Sequence, residues 1–230
     1  TSAFIYWGGR DGYQASRRTE LPTLLASGVA ASDFNRDGFV DLAFANQGNE
    51  GGGERFEAAY HTKSTIYWNS PRGFQIDERT SLPTISARDC TAGDMNGDGY
   101  PELIFVNNNV DEKSVYVYWG AADGFSPQLR LEWKGGDPVA VLLADTDGNA
   151  HPDLVVMHGD NRAVVVPGTV AGPHYESRST LPTLGAESCH SADLNRDHWP
   201  DLIFANHAAG GEDGIFIYWG SEKGFVPPRR

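Results

Sequence analysis

The sequence predicts an all-β fold of tandem four-stranded units, and three observations lead there. First, four segments share one spacing of oxygen-bearing side chains: "DFNRDGFVD" from Asp33, "DMNGDGYPE" from Asp94, "DTDGNAHPD" from Asp145 and "DLNRDHWPD" from Asp193, in steps of 61, 51 and 48 residues. Second, an aromatic marker keeps the same steps: "IYWG" at Ile5, "IYWN" at Ile66, "VYWG" at Val117, a degenerate "VVPG" at Val165 and "IYWG" at Ile217. Arg18, Arg79, Arg130 and Arg178 follow in register. Third, 27 Gly, 13 Pro and 11% aromatics suit short strands joined by many turns. Four strand-like segments recurring about every 50 residues are the signature of β-propeller blades.

Each unit opens on a short segment such as "SGVAASD" or "SARDCTAGD", followed by the polar loop. The second strand is apolar: "VDLAFAN", "PELIFVN", "PDLVVMH" or "PDLIFAN". The third carries the aromatic marker. Glycine-containing hairpin turns, "GGRDGY", "NSPRGF", "GAADGF" and "GSEKGF", lead into the fourth, as in "GFQIDERTSLP". The reading is one propeller domain or segment: a partial blade over 1–22, then units at 23–83, 84–134, 135–182 and 183–230. Simple ring closure does not use the extra N-terminal hairpin. The open edges are therefore expected to meet the remainder of a larger propeller or another chain in an oligomer.

At 230 residues the chain can bury a substantial core without disulfides. Its net charge of -13 argues against nucleic acid. The longest apolar run falls far short of a membrane span, and "TSAFIYWGG" has neither a basic region nor a signal core, so a soluble mature segment without membrane insertion is expected. The four polar loops hold three carboxylates each, twelve in all, which points to a cation as the natural partner.

Calcium takes six to eight oxygen ligands in flexible geometry, and each loop offers such a set. In the first copy these are the side chains of Asp33, Asn35, Asp37 and Asp41 with the backbone carbonyl of Phe39. In the second they are Asp94, Asn96, Asp98, Glu102 and the carbonyl of Tyr100. The third offers Asp145, Asp147, Asn149, Asp153 and the carbonyl of His151; the fourth, Asp193, Asn195, Asp197, Asp201 and the carbonyl of Trp199. Positions one, three and five alternate inward, Gly38 permits the sharp turn, and the spacers Phe34 and Arg36 are expected to point away. An EF-hand is excluded, because its twelfth-position Glu is replaced by Phe44, Phe105, Val156 and Phe204. Up to four ions are expected. The third site is expected to be the weakest, because Ala150 replaces glycine and Asn149 stands at its fifth position.

On these motifs the chain resembles the FG-GAP or VCBS repeat family, the calcium-bearing blades of integrin alpha-chain propellers and of many bacterial secreted proteins. The resemblance implies that each loop joins the first two strands of a blade and that ions stiffen the ring. It also implies a non-catalytic module that recognises glycans or a surface protein. A secreted, periplasmic or cell-surface location follows from the calcium level such sites need. The alternatives are a scaffold or accessory domain of a secreted polysaccharide-degrading enzyme, and a structural propeller that self-assembles. No catalytic residues are assigned.

Outside the loops, Cys90 and Cys189 stand where Val29 and Val141 stand in other units and read as free, buried, valine-like thiols. Trp7, Trp68, Trp119 and Trp219 recur with the unit and read as packing between blades. Candidates for a ligand site are Tyr60 and His61, on a long connection, together with Asn107, His158, Asn206 and His207 at strand ends. Asn at such a place is equally a turn former.

Overall fold

The computed structural model describes residues 1–48, 61–109, 112–207 and 214–226, and it is a β-propeller arc of antiparallel blades. A leading hairpin pairs β1 (Ser2–Tyr6) with β2 (Arg18–Pro22). The first blade holds β3 (Ala26–Ser32), β4 (Asp41–Asn46), β5 (His61–Tyr67) and β6 (Arg79–Ile85). The second holds β7 (Ala87–Gly93), β8 (Glu102–Asn108), β9 (Lys113–Tyr118) and β10 (Arg130–Lys134); the third, β11 (Pro138–Ala144), β12 (Asp153–His158), β13 (Arg162–Val166) and β14 (Ser179–Pro182). The fourth shows β15 (Ala186–Ala192), β16 (Asp201–Asn206) and β17 (Gly214–Tyr218), with a single bridge between Trp219 and Val226 where a fourth strand begins. One boundary moves from its expected place. β6 continues past 83 to Ile85, because Thr84 and Ile85 pair with Thr62 and His61.

The blades stack through their first strands, β3 on β7, β7 on β11 and β11 on β15. The core lies between blades: Ile66, Leu82, Cys90 and Phe105 between the first and second, Ile104, Val117, Val141 and Leu154 between the second and third, and Val155, Leu181 and Phe204 between the third and fourth. β8 and β12 are therefore buried on both faces, which explains why these second strands are continuously apolar rather than alternating. Both cysteines are free and buried in these interfaces, and burial pushes both thiols up. Trp68 and Trp119 pack as expected: Trp68 lies against Gly124 and Trp119 against Gly172 of the following blade's hairpin turn, where a Cβ on Gly172 would come within 2.3 Å of the Trp119 ring.

A hydrogen bond repeats across the interfaces. The Tyr67 hydroxyl donates to the carbonyl of Pro22 at 2.6 Å, that of Tyr118 to Pro83, and that of Tyr218 to Pro182 at 2.6 Å. Behind it, the repeat arginines Arg79 and Arg130 donate to the hydroxyls of Tyr67 and Tyr118, each at 3.4 Å. Between the second and third blades Val166 replaces the tyrosine, so the donor hydroxyl is absent, while Lys134 in the proline's place keeps its backbone carbonyl.

Each first strand also carries a bulge at one place, between Ala26 and Gly28, Ala87 and Asp89, Pro138 and Ala140, and Ala186 and Ser188. The bulged residues Ser27, Arg88, Val139 and Glu187 all line a cavity of about 370 Å³ bordered by the first strands of the four blades, and Arg88 and Glu187 approach to 3.8 Å across it.

Tyr118→Phe leaves the Pro83 carbonyl without its donor and is expected to cost about 1–2 kcal/mol. A urea unfolding midpoint that falls at unchanged slope is the expected reading.

Candidate metal loops

The four loops share one hydrogen-bond scheme. The first aspartate folds the loop over its own carboxylate: Asp33 accepts from the backbone N–H of Asp37 and Gly38, Asp94 from Asp98 and Gly99, Asp145 from Asn149 and Ala150, and Asp193 from Asp197 and His198, all at 2.8–3.1 Å. The third and fifth side chains are bonded to each other, Asn35 Nδ2 to Asp37 Oδ2 and Asn96 Nδ2 to Asp98 Oδ2, each at 3.0 Å, and Asn195 Nδ2 to Asp197 Oδ2 at 2.9 Å. In the third loop the two residue types are exchanged and the bond is kept, from Asn149 Nδ2 to Asp147 Oδ2 at 3.1 Å.

The ninth-position acid is the buried keystone. One oxygen of Asp41 accepts from the N–H of Phe34 at 3.1 Å and the other from Asn69, beyond the third strand, at 2.8 Å. Glu102, Asp153 and Asp201 repeat this with Met95 and Gly120, Thr146 and Gly168, and Leu194 and Gly220. Burial, partly offset by these N–H donors, raises Asp41 to about 6 and Glu102 to about 7, and raises Asp153 as well. A carboxylate oxygen still has lone pairs for a cation after accepting one N–H.

Two features of the loops go beyond the sequence pattern. The third loop keeps the shared geometry and brings oxygens of Asp145, Asp147 and Asp153 within 4.8 Å of one another. Its Asn/Asp exchange conserves both the charge and the hydrogen bond. The spacers also do more than point away. Phe34 is fully buried against Trp68 and Phe125. Arg36 lies over the Tyr100 ring of the next loop at 5.2 Å. His151 lies beside Gly97 and Trp199 beside Gly148 in the same manner, so the seventh residue of each of these loops touches the fourth residue of the loop before.

A family model described as FG-GAP-like repeat matches the chain over residues 33–105 and again over 94–156. Each match opens on the first aspartate of one loop and runs through the next. The chain belongs to the FG-GAP-like repeat family. Human integrin alpha-6 is 30% identical to it over 135 residues, which cover 56% of this chain and 12% of that protein. A crystal structure of a protein from Lactobacillus plantarum shares the fold with a TM-score of 0.57 at 12% identity, covering 97% of this chain and 64% of that one.

Within the FG-GAP repeats, most ligand candidates at strand ends serve the blade itself. The side-chain oxygens of Asn46, Asn107 and Asn206 accept from the N–H of Leu24, Ile85 and Leu184 at 3.3, 2.8 and 3.0 Å, tying the second strand to the link that enters the first. His158 takes that place in the third blade, its Nδ1 accepting from Asp137 N–H at 3.1 Å. Each of these polar atoms has a backbone N–H partner within the fold. His61 is exposed at the start of β5, and Tyr60 lies outside the described residues. His207 does face a cavity, of about 350 Å³, shared with Arg88, Asn108, Lys113, Asp137 and Glu187. Sequence reasoning missed Arg88, Asp137 and Glu187, because single charges on short strands carry no pattern.

Two outcomes are expected. The sixth loop position has positive φ in all four copies, Gly38 at 90°, Gly99 at 89°, Ala150 at 68° and His198 at 75°. Ala150→Gly should therefore stabilise by about 1 kcal/mol in a denaturant melt. Burial, helped by Arg162, holds His158 below the ordinary histidine range. Its contribution is full above the unfolded value of 6.5 and is lost as the pH falls below it. The loss of melting temperature between about pH 7 and pH 5 should be smaller in His158→Asn than in the wild type.

Proposed function

We propose that this chain is a calcium-stabilised, non-catalytic binding module that works outside the cell. The observation that carries the reading is the loop set itself: four copies of one hydrogen-bonded scaffold present only oxygen donors, from positions one, three, five and nine and the carbonyl of position seven. Such donors suit a hard cation with flexible coordination. Asp33, Asn35, Asp37, Asp41 and the Phe39 carbonyl would hold it in the first loop, and their counterparts in the others. Bound calcium supplies the positive charge that lets buried Asp41 and Glu102 remain ionised. The chain's own part is to hold the carboxylates together before the ion arrives. Extracellular calcium is abundant enough to fill modest sites, which supports a secreted, periplasmic or cell-surface location. The likeness to integrin alpha-6 supports recognition of a surface protein or its glycans, carried by the strand connections at the end of the blades opposite the loops.

Calcium that binds only the folded form should stabilise by about 2.7 kcal/mol per independent site at a hundredfold excess over Kd. Thermal melts in calcium and in EDTA are expected to differ sharply, with bound calcium found by elemental analysis. Asp98→Ala and Asp147→Ala should each remove a similar share of the difference. Superimposed melts with no bound calcium would overturn the metal reading. A calcium-replete glycan array that gives no binding, with bond cleavage by the protein alone, would replace the binding role with an enzymatic one.

A further inference from the structure

A short relay of contacts joins one loop to the next, and both of its ends are candidate cation ligands. In the second loop the backbone N–H of Gly97, the fourth residue, donates to Asp94 Oδ1 at 2.8 Å. Against Gly97 lies the ring of His151, the seventh residue of the third loop, and a Cβ on Gly97 would come within 3.2 Å of His151 Cε1. The N–H of His151 in turn donates to Asn149 Oδ1 at 2.7 Å. The third and fourth loops repeat the relay: Gly148 N–H donates to Asp145 Oδ1 at 2.8 Å, the Trp199 ring lies on Gly148, and Trp199 N–H donates to Asp197 Oδ1 at 2.9 Å. Between the first and second loops Arg36 lies over the Tyr100 ring, and Tyr100 N–H donates to Asp98 Oδ1 at 2.8 Å.

The partners are matched in type. The fourth residue has positive φ in every loop, at 61° in Arg36, 75° in Gly97, 74° in Gly148 and 64° in Arg196, so the backbone alone does not demand glycine there. Glycine stands where His151 or Trp199 lies flush on the chain, and arginine where Tyr100 offers a ring face. His151 Nδ1 is buried without a hydrogen-bond partner among the described residues. The place of that ring is therefore set by packing on Gly97 rather than by a bond from this nitrogen.

We infer that the four loops take up their cations as a linked row, with Tyr100, His151 and Trp199 as the positioning residues that carry the linkage. The inference rests on the calcium reading above. Each of these residues would offer its backbone carbonyl to the ion of its own loop while its side chain rests on the loop before. With Asp94 and Asp98 held on a cation, Gly97 is fixed and gives His151 a settled surface. That lowers the ordering still required of the His151 carbonyl and of Asn149, so the third loop binds more readily. Direct repulsion between neighbouring ions would link the loops with the opposite sign.

Amide hydrogen exchange, followed loop by loop in the 230-residue chain as calcium is raised, tests the linkage. Asp98→Ala disables the second loop, and the calcium midpoint for protection of the third is expected to rise at least about fivefold, the lower end of usual coupling. Asp147→Ala should raise the midpoint of the second loop by the same factor, since coupling is reciprocal. His151→Ala keeps the carbonyl and drops the contact. In that background Asp98→Ala should move the third loop's midpoint by less than about twofold, as independent sites do. His151→Trp, which supplies the kind of ring that Trp199 lays on Gly148, should restore the larger shift. A purely structural role for His151 would lower the melting temperature but leave the Asp98→Ala shift at full size, and that result overturns the inference. A third-loop midpoint that stays put or falls in Asp98→Ala overturns it too, with calcium binding left standing. No protection and no bound calcium in the wild type would overturn the calcium reading itself. If His151→Ala does not fold, Trp199→Ala combined with Asp147→Ala, read in the fourth loop, decides the question in the same way.

Discussion

Everything in this molecule depends on the need of a four-stranded sheet to bury both of its faces. β8 and β12 are apolar on each side, so a blade removed from its neighbours would expose as much as it buries. Fully burying one large aliphatic or aromatic side chain is worth about 1.5–3 kcal/mol. Ile104, Phe105, Val155 and Val156, all buried, share their core clusters with residues of adjacent blades as well as of their own. Stability is therefore held between units, and each unit is specified by what the next one offers.

The polar loops are the complement of that packing. Their carboxylates crowd one another at the blade ends, where a core cannot help. The fold contains the repulsion by giving each acid backbone N–H groups: the first aspartate folds the loop, and the ninth reaches from the loop to the end of the third strand. The loop is thereby anchored to its blade at both ends. Contacts such as Arg36 over Tyr100 then join one loop to the next around the arc. Cations, where they bind, enter a frame whose backbone is already shaped.

Much of this was legible in the residues, because the repeat multiplied weak signals. One Asp-Asn-Asp loop is a common turn; four at the spacing of an independent aromatic marker define blades, and the strand runs follow. The parts that were not legible depend on partners distant in sequence. Tyr67 and Pro22 are 45 residues apart and look unrelated until the blades are stacked. The asparagines at strand ends look available for a ligand, since nothing local shows that an N–H 22 residues earlier claims the oxygen. The third loop shows another such dependence: Asp147 and Asn149 exchange places with their hydrogen bond kept, a pairing that comparing the copies one position at a time does not reveal.

The bulge at the start of each first strand has a broader meaning. Ser27, Arg88, Val139 and Glu187 occupy one position of the repeat, yet they are a hydroxyl, a cation, an alkyl group and an anion. An extra residue in a strand is excused from the ladder and from the sheet-to-sheet packing that constrains its neighbours. Here it is turned toward the inner wall instead. A chain assembled from near-copies gains in this way a ring of sites where the copies are free to differ, and through which an otherwise repetitive architecture can acquire a surface of its own.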